Sequence, residues 1–155
     1  MPLKITPVEY WVAKIEDRAG GAARALGPLA GARVNLEFVL ARRTPEEPGR
    51  GVLYVAPVKG GRAEEAARAA GLSRAADLAG LRVEGDNRPG AGHAMADALG
   101  QAGISFRGLA ASVLGRKYVC YFAFDREEDA RRAAEVLKAA GRKQGKPPAR
   151  GRGRG

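Results

Sequence analysis

Leu81-Arg82-Val83-Glu84-Gly85-Asp86-Asn87-Arg88-Pro89-Gly90 decides the fold, because the chain carries this passage twice. In Leu81-Arg82-Val83-Glu84, apolar and charged residues alternate, which is the pattern of a half-buried strand. Pro89 and Gly90 then turn the chain into a helix, where Ala91, Met95, Ala98 and Leu99 recur at helical spacing. At an offset of 70 residues, Asp17-Arg18-Ala19-Gly20 takes the place of Asn87-Arg88-Pro89-Gly90. It follows the apolar strand Trp11-Val12-Ala13-Lys14-Ile15 and precedes Ala22, Ala25, Leu26 and Leu29, again at helical spacing.

The correspondence continues outward. Leu29 to Asn35 matches Leu99 to Ser105 at the same offset, and Ala69-Ala70-Gly71 matches Ala139-Ala140-Gly141. Between them Gly49-Arg50 through Val58 matches Gly115-Arg116 through Phe124 at an offset of 66, so the first hairpin is the longer one. Strands are expected at 34–43 and 51–58 in the first copy, and at 104–114 and 117–124 in the second. The second pair is joined tightly at Gly115-Arg116. A helix closes each copy, over Ala63 to Ala70 and along Ala130, Ala133, Ala134 and Leu137, with Asp125 and Glu128 as a capping pair. Pro28 predicts a bend near Gly27. Residues 72–80 read either as a last strand or as a short helix capped by Ser73, and the second copy has no evident last strand. The expected fold class is α+β: two tandem ferredoxin-like βαββαβ units, with antiparallel sheets and helices packed on one face. The expected domains are 1–79 and 80–141, followed by a basic Arg/Gly tail, 142–155, too poor in apolar residues to order itself.

Composition narrows the chemistry. Of the 155 residues 45% are hydrophobic, enough for a core. No apolar run is long enough to span a membrane, and the first ten residues lack a signal peptide's apolar stretch, so a cytoplasmic location without membrane partners is expected. Cys120 and His93 are the only cysteine and histidine, which excludes an intramolecular disulfide and argues against a zinc site or a Cys–His nucleophile. Cys120 reads as buried and His93 as a surface residue. Gly90-Ala91-Gly92 begins like a dinucleotide loop, but Met95 occupies the third glycine position and no acid lies near 109–111. No phosphate-cradling Gly-x-x-x-x-Gly-Lys-Ser/Thr run occurs. Nothing calls for a cofactor or a catalytic residue, and the chain is expected not to be an enzyme.

The net charge of +10 is uneven. Six cations and no acid lie beyond Ala140, leaving +4 for residues 1–140. The tail arginines offer weak, salt-dependent contacts to nucleic acid. Arg116 to Phe124 loosely resembles the basic-aromatic third strand of RNA-recognition motifs. Base stacking there would need Tyr118, Phe122 and Phe124 on an open sheet face, and a buried strand fits the same pattern.

Asn87-Arg88-Pro89-Gly90 between strand and helix, then Ala102-Gly103-Ile104 entering the next strand, resembles the ACT domain. Asp17-Arg18-Ala19-Gly20 and Ala32-Arg33-Val34-Asn35-Leu36 repeat the resemblance, so that it covers nearly all of Val8 to Ala140. Copy one departs at Ala19, where the pattern prefers proline, and copy two at Ser105, where it prefers asparagine. The resemblance implies a regulatory protein binding an amino acid or similar small ligand, and acting through a protein partner or as a homodimer. It places the ligand where two domains meet, against Asp17, Arg18 and Gly20 with Asn35, and against Asp86, Asn87, Arg88 and Gly90 with Ser105. Helix N-terminal amides suit a carboxylate, and a glycine admits close approach. Two alternatives stand beside it: a structural module that pairs with another protein without ligand, and an RNA-binding adaptor using the basic tail.

Overall fold

The computed structural model describes residues 3–144. Along the chain lie β1 (Lys4–Val8), β2 (Trp11–Glu16), α1 (Gly21–Gly31), β3 (Phe38–Arg43), β4 (Arg50–Ala56), α2 (Gly61–Ala69) and β5 (Ser73–Arg74). They are followed by β6 (Ala79–Asp86), α3 (Ala91–Gln101), β7 (Gly108–Leu114), β8 (Lys117–Phe124) and α4 (Glu127–Gln144). Two four-stranded antiparallel sheets result, ordered β3-β4-β2-β5 and β1-β6-β8-β7. Each has the strand order of a ferredoxin-like βαββαβ unit.

The first compact unit runs from Val8 to Ala79. Its core is Trp11, Ala13, Ala25, Leu29, Leu53, Val55, Val58, Ala67 and Leu72. The alternation seen in the sequence is what puts Trp11 and Ala13 on one face of β2, under α1 and α2. Within residues 72–80, ahead of β6, the strand alternative holds for Ser73–Arg74 alone: β5 pairs antiparallel with the start of β2, Trp11 opposite Arg74. Pro28 does not break α1, which runs through it to Gly31. Proline removes one helical hydrogen bond, and the carbonyl left over belongs to exposed Arg24, where water is at hand.

The second unit begins at Gly80 but also takes the described residues up to Pro7. Its missing last strand is β1, from the other end of the chain, at the outer edge beside β6. Proline is tolerated at an edge, where its absent N–H weakens no central ladder, and Pro7 sits in that position. The core comprises Leu81, Val83, Met95, Leu99, Cys120, Phe122, Phe124, Ala133 and Leu137. The first helical hydrogen bond of α4 runs from Ala130 N–H to the Arg126 carbonyl, which makes Arg126 the cap. Asp125, expected to cap, instead accepts from Arg107 Nε at 2.8 Å.

The register of the repeat differs from the reading by residue identity. Phe38 faces Ala56 and Arg43 faces Gly51, while Gly108 faces Ala123 and Val113 faces Tyr118. Strand β4 therefore corresponds to β8 at an offset of 67, not 66. The backbone agrees: Asp17 N–H donates to Gly49 and Asn87 N–H to Arg116. A shift of one residue exchanges the two faces of a strand. Only the offset of 67 superimposes buried Leu53 and Val55 on buried Cys120 and Phe122.

Candidate ligand-binding clefts

The loops after β2 and β6 are built alike. Gly20 caps α1 at φ 84° and Gly90 caps α3 at φ 82°, both left-handed and neither with a side-chain cap. That conformation is costly for any residue with a Cβ, so glycine is required for the turn itself. The first amide of each helix, Gly21 or Ala91, is taken by the carbonyl of Arg18 or Arg88, and the next residues, Ala22 and Gly92, line a cleft beside the neighbouring outer strand.

In the second copy this cleft has a volume of about 230 Å³. Asn87, Arg88 and Gly90 form its rim on one side, and Ala111, Ser112 and Val113 of β7 the other. Met95, Tyr118 and Cys120 make an apolar floor, and all three are buried. No carboxylate lines it. Burial pushes the Cys120 thiol up to about 11, so it stays protonated at neutral pH and contributes volume, not nucleophilicity. Burial likewise raises the Tyr118 phenol.

The same place in the first copy is a cleft of about 200 Å³ with a different lining. Asp17, Arg18, Ala22, Ala41, Arg42, Arg43 and Gly51 stand where the second copy has Asn87, Arg88, Gly92, Ala111, Ser112, Val113 and Tyr118. Arg43 Nε donates to Asp17 Oδ2 at 2.8 Å, and Arg18 Nε lies 2.6 Å from Glu16 Oε2. The ion pair of Arg43 with Asp17 joins the two sides of this cleft. In the second copy Val113 and Asn87 occupy those two positions and leave it open.

The residues singled out in the sequence thus divide. Asp17 and Arg18 line the first loop cleft, and Gly20 caps the helix beside it. Asn87, Arg88 and Gly90 line the second, while Asp86 ends β6 just outside. Asn35 and Ser105 join neither. Each follows the far end of an 11-residue helix, about 16 Å of axis away. Asn35 lines a separate cleft with Arg33, Lys59 and Arg62, and Ser105 is exposed. Met95, Val113 and Cys120 were not read as site residues. The signal for Met95 lay in the helical spacing of α3 and that for Val113 and Cys120 in the alternation of β7 and β8, but only the hairpin register shows which face meets the loop.

Tyr118, Phe122 and Phe124 are buried at 7%, 0% and 0% exposure, so they offer bases no stacking surface. The basic tail from residue 145 onward lies outside the described residues. Among the described residues no cluster of three or more His, Cys, Asp or Glu could hold a metal, and no helix is long and apolar enough to cross a membrane.

No family model matches the chain, and no curated protein matches it. Solved structures do. A protein from Bacteroides thetaiotaomicron superimposes with a TM-score of 0.71 at 15% identity, over 87% of this chain and 89% of its own. The ligand-free regulatory subunit of aspartate kinase from Thermus thermophilus gives 0.64 at 17% identity, over 90% of this chain and 97% of that one. Aspartate kinase from Clostridium acetobutylicum, described as an allosteric enzyme, gives 0.59 at 14% identity; 90% of this chain covers 34% of that one. At such identities the likeness is one of fold. That fold is the tandem ACT-type arrangement, as found in regulatory chains of aspartate kinase.

Proposed function

We propose that this chain is a non-catalytic regulatory module of the cell interior that binds an amino acid with an apolar side chain in the loop cleft of the second copy. One observation carries the reading: the second-copy cleft has an apolar floor of Met95, Tyr118 and Cys120 beneath a polar rim, while its first-copy counterpart is crossed by the ion pair of Arg43 and Asp17. The Gly92 amide in the first turn of α3 and the Arg88 guanidinium suit a carboxylate, and the Asn87 amide can accept from an ammonium. The floor suits a branched or thioether side chain. No acid is available there for a cationic one.

The reading is tested by thermal melting of the full chain against the common amino acids. One apolar amino acid should raise Tm saturably, as mass action requires of a ligand that binds only the folded state. Val113→Arg combined with Asn87→Asp should abolish that shift by restoring the ion pair that crosses the first copy's cleft. Val113 is 53% exposed, so the change leaves the core intact. If no amino acid shifts Tm, or the double variant leaves the shift unchanged, the reading fails.

A second reading, pairing with another copy of the chain, draws on the exposed side chains of β7. Leu109, Val113 and Leu114 are 41%, 53% and 82% exposed on an outermost strand. Unpaired edges carrying apolar side chains favour strand-to-strand association.

A further inference from the structure

The largest of the three clefts described is neither loop cleft. It measures about 320 Å³ and is lined by Ala32, Arg33, Val34, Asn35, Pro57, Lys59, Arg62 and Ala63, all within the first unit. Arg33, Lys59 and Arg62 are exposed, and the Asn35 amide stands with them, without an acid in the lining. None of the three cations makes an ion pair or side-chain hydrogen bond among the described residues. Of the two acids of α2, Glu64 is taken by Arg68 and Arg74, and Glu65 lies outside the lining. Three like charges held around one concavity repel each other unless something negative sits between them.

The second copy shows that the fold does not require this arrangement. The residue just before the cap of α2 is Lys59, and the second residue of the helix is Arg62. At the same two places around α4 stand Asp125 and Glu128, a reversal of sign at both. The helix starts differ accordingly. Helix α4 opens on Glu127, Glu128 and Asp129, whereas α2 opens on Gly60-Gly61-Arg62 with no side-chain cap. Its first helical bond runs from Glu64 N–H to the Gly60 carbonyl. The amides before it are left to solvent or ligand.

Arg33 adds an independent sign. It is the one non-glycine residue with positive φ among the described residues, at 57°, where the second copy has Gly103 at 71°. Glycine adopts that conformation freely and arginine does not. A strained residue retained where the other copy relaxes it points to use of its side chain.

We propose that this cleft is an anion site for a small phosphomonoester, with Arg33, Lys59 and Arg62 on the phosphate oxygens and Asn35 beside them. Arginine forks and phosphate match bidentately, and Val34, Pro57 and Ala63 offer an apolar wall to the ester group. Its lining shares no residue with either loop cleft.

Isothermal titration of the full chain with inorganic phosphate, and in parallel with O-phosphoserine, tests it. Saturable binding of both, tighter for the ester, is expected. Arg33→Gly should weaken it by roughly tenfold or more, the size expected for one charge-assisted contact. Its Tm should stay close to that of the parent, because relieved strain and added chain entropy oppose each other. Lys59→Asp, the second copy's residue, should weaken binding at least as much, and it serves if Arg33→Gly fails to fold. The variant Val113→Arg with Asn87→Asp should bind phosphate as the parent does, which separates failure here from failure of the amino-acid cleft. Tighter binding of inorganic phosphate than of the ester would reassign the ligand to the free ion and overturn the ester claim. No saturable binding by the parent, or undiminished binding in both Arg33→Gly and Lys59→Asp, would overturn the site itself.

Discussion

At the scale of single residues, the two copies solve one packing problem with the parts exchanged. Beside the loop cleft the first copy places Ile15 on β2 opposite Gly51 on β4. The second places Gly85 on β6 against Tyr118 on β8. A Cβ on Gly51 would stand 2.7 Å from the Arg42 carbonyl oxygen and 3.2 Å from Ile15 Cγ1. One on Gly85 would stand 2.5 Å from Tyr118 Oη and 2.7 Å from Leu3 Cδ2. Each glycine is therefore the space its large neighbour occupies, and overfilling such a space costs about 1–3 kcal/mol. Gly85→Ala should lower stability by about that amount in urea unfolding. In a cycle with Tyr118→Ala the two costs should sum to less than their separate values, because the second change removes the clash of the first. Full additivity would mean Tyr118 is not what fills the space. This exchange was not legible in the sequence. Aligning Gly115-Arg116 on Gly49-Arg50 pairs identical residues, but it sets Tyr118 opposite Val52 instead of Gly51.

At the scale of elements, strands with internal alternation and helices with apolar spacing were readable in both copies, since each pattern reports burial directly. The loops after β2 and β6 were readable for the same reason: a glycine capping a helix has few other uses. One element was hidden. Strand β1 is five residues long, contains Pro7 and lies at a sheet edge, so it carries little alternation. Asn35 was grouped with the loop residues by the resemblance alone, and within its own unit it lies at the other end of α1 from that loop. The outermost strands β3 and β7 show a further contrast. Val39 and Leu40 are 48% and 37% exposed, against 82% for Leu114 at the tip of β7. If copies of the chain pair through β7, Leu114→Lys should shift the species seen by light-scattering chromatography toward the monomer. Tm at low concentration should be nearly unchanged, because the side chain has little folded-state packing to lose. An unaltered mass at all concentrations would exclude β7 as the contact.

At the scale of the molecule, the path of the chain makes the two units unequal partners in folding. Residues from Val8 to Ala79 hold a complete set of strands and helices in one stretch. The second sheet has its outer strand β1 at the start of the chain and its other three from Ala79 onward, so its two parts are separated by the whole of the first unit. Leu3 shows how firmly that end is seated. A Cβ added to Gly141 would stand 2.9 Å from Leu3 Cγ, and Gly85 has Leu3 as close on its other side. Removing β1 would uncover the edge of β6 and the apolar surface beneath Leu3, and open edges of this kind promote aggregation. Residues 8–79 should therefore fold alone, with a cooperative thermal transition and dispersed amide resonances. Residues 80–155 should aggregate or melt without cooperativity, and should recover when residues 1–8 are joined to their C-terminus through a flexible Gly/Ser linker. The rescue discriminates between causes. If the joined form behaved no better than 80–155, the instability would arise from the lost first unit and not from the missing strand. If 80–155 alone melted cooperatively, β1 would be dispensable to the sheet it borders.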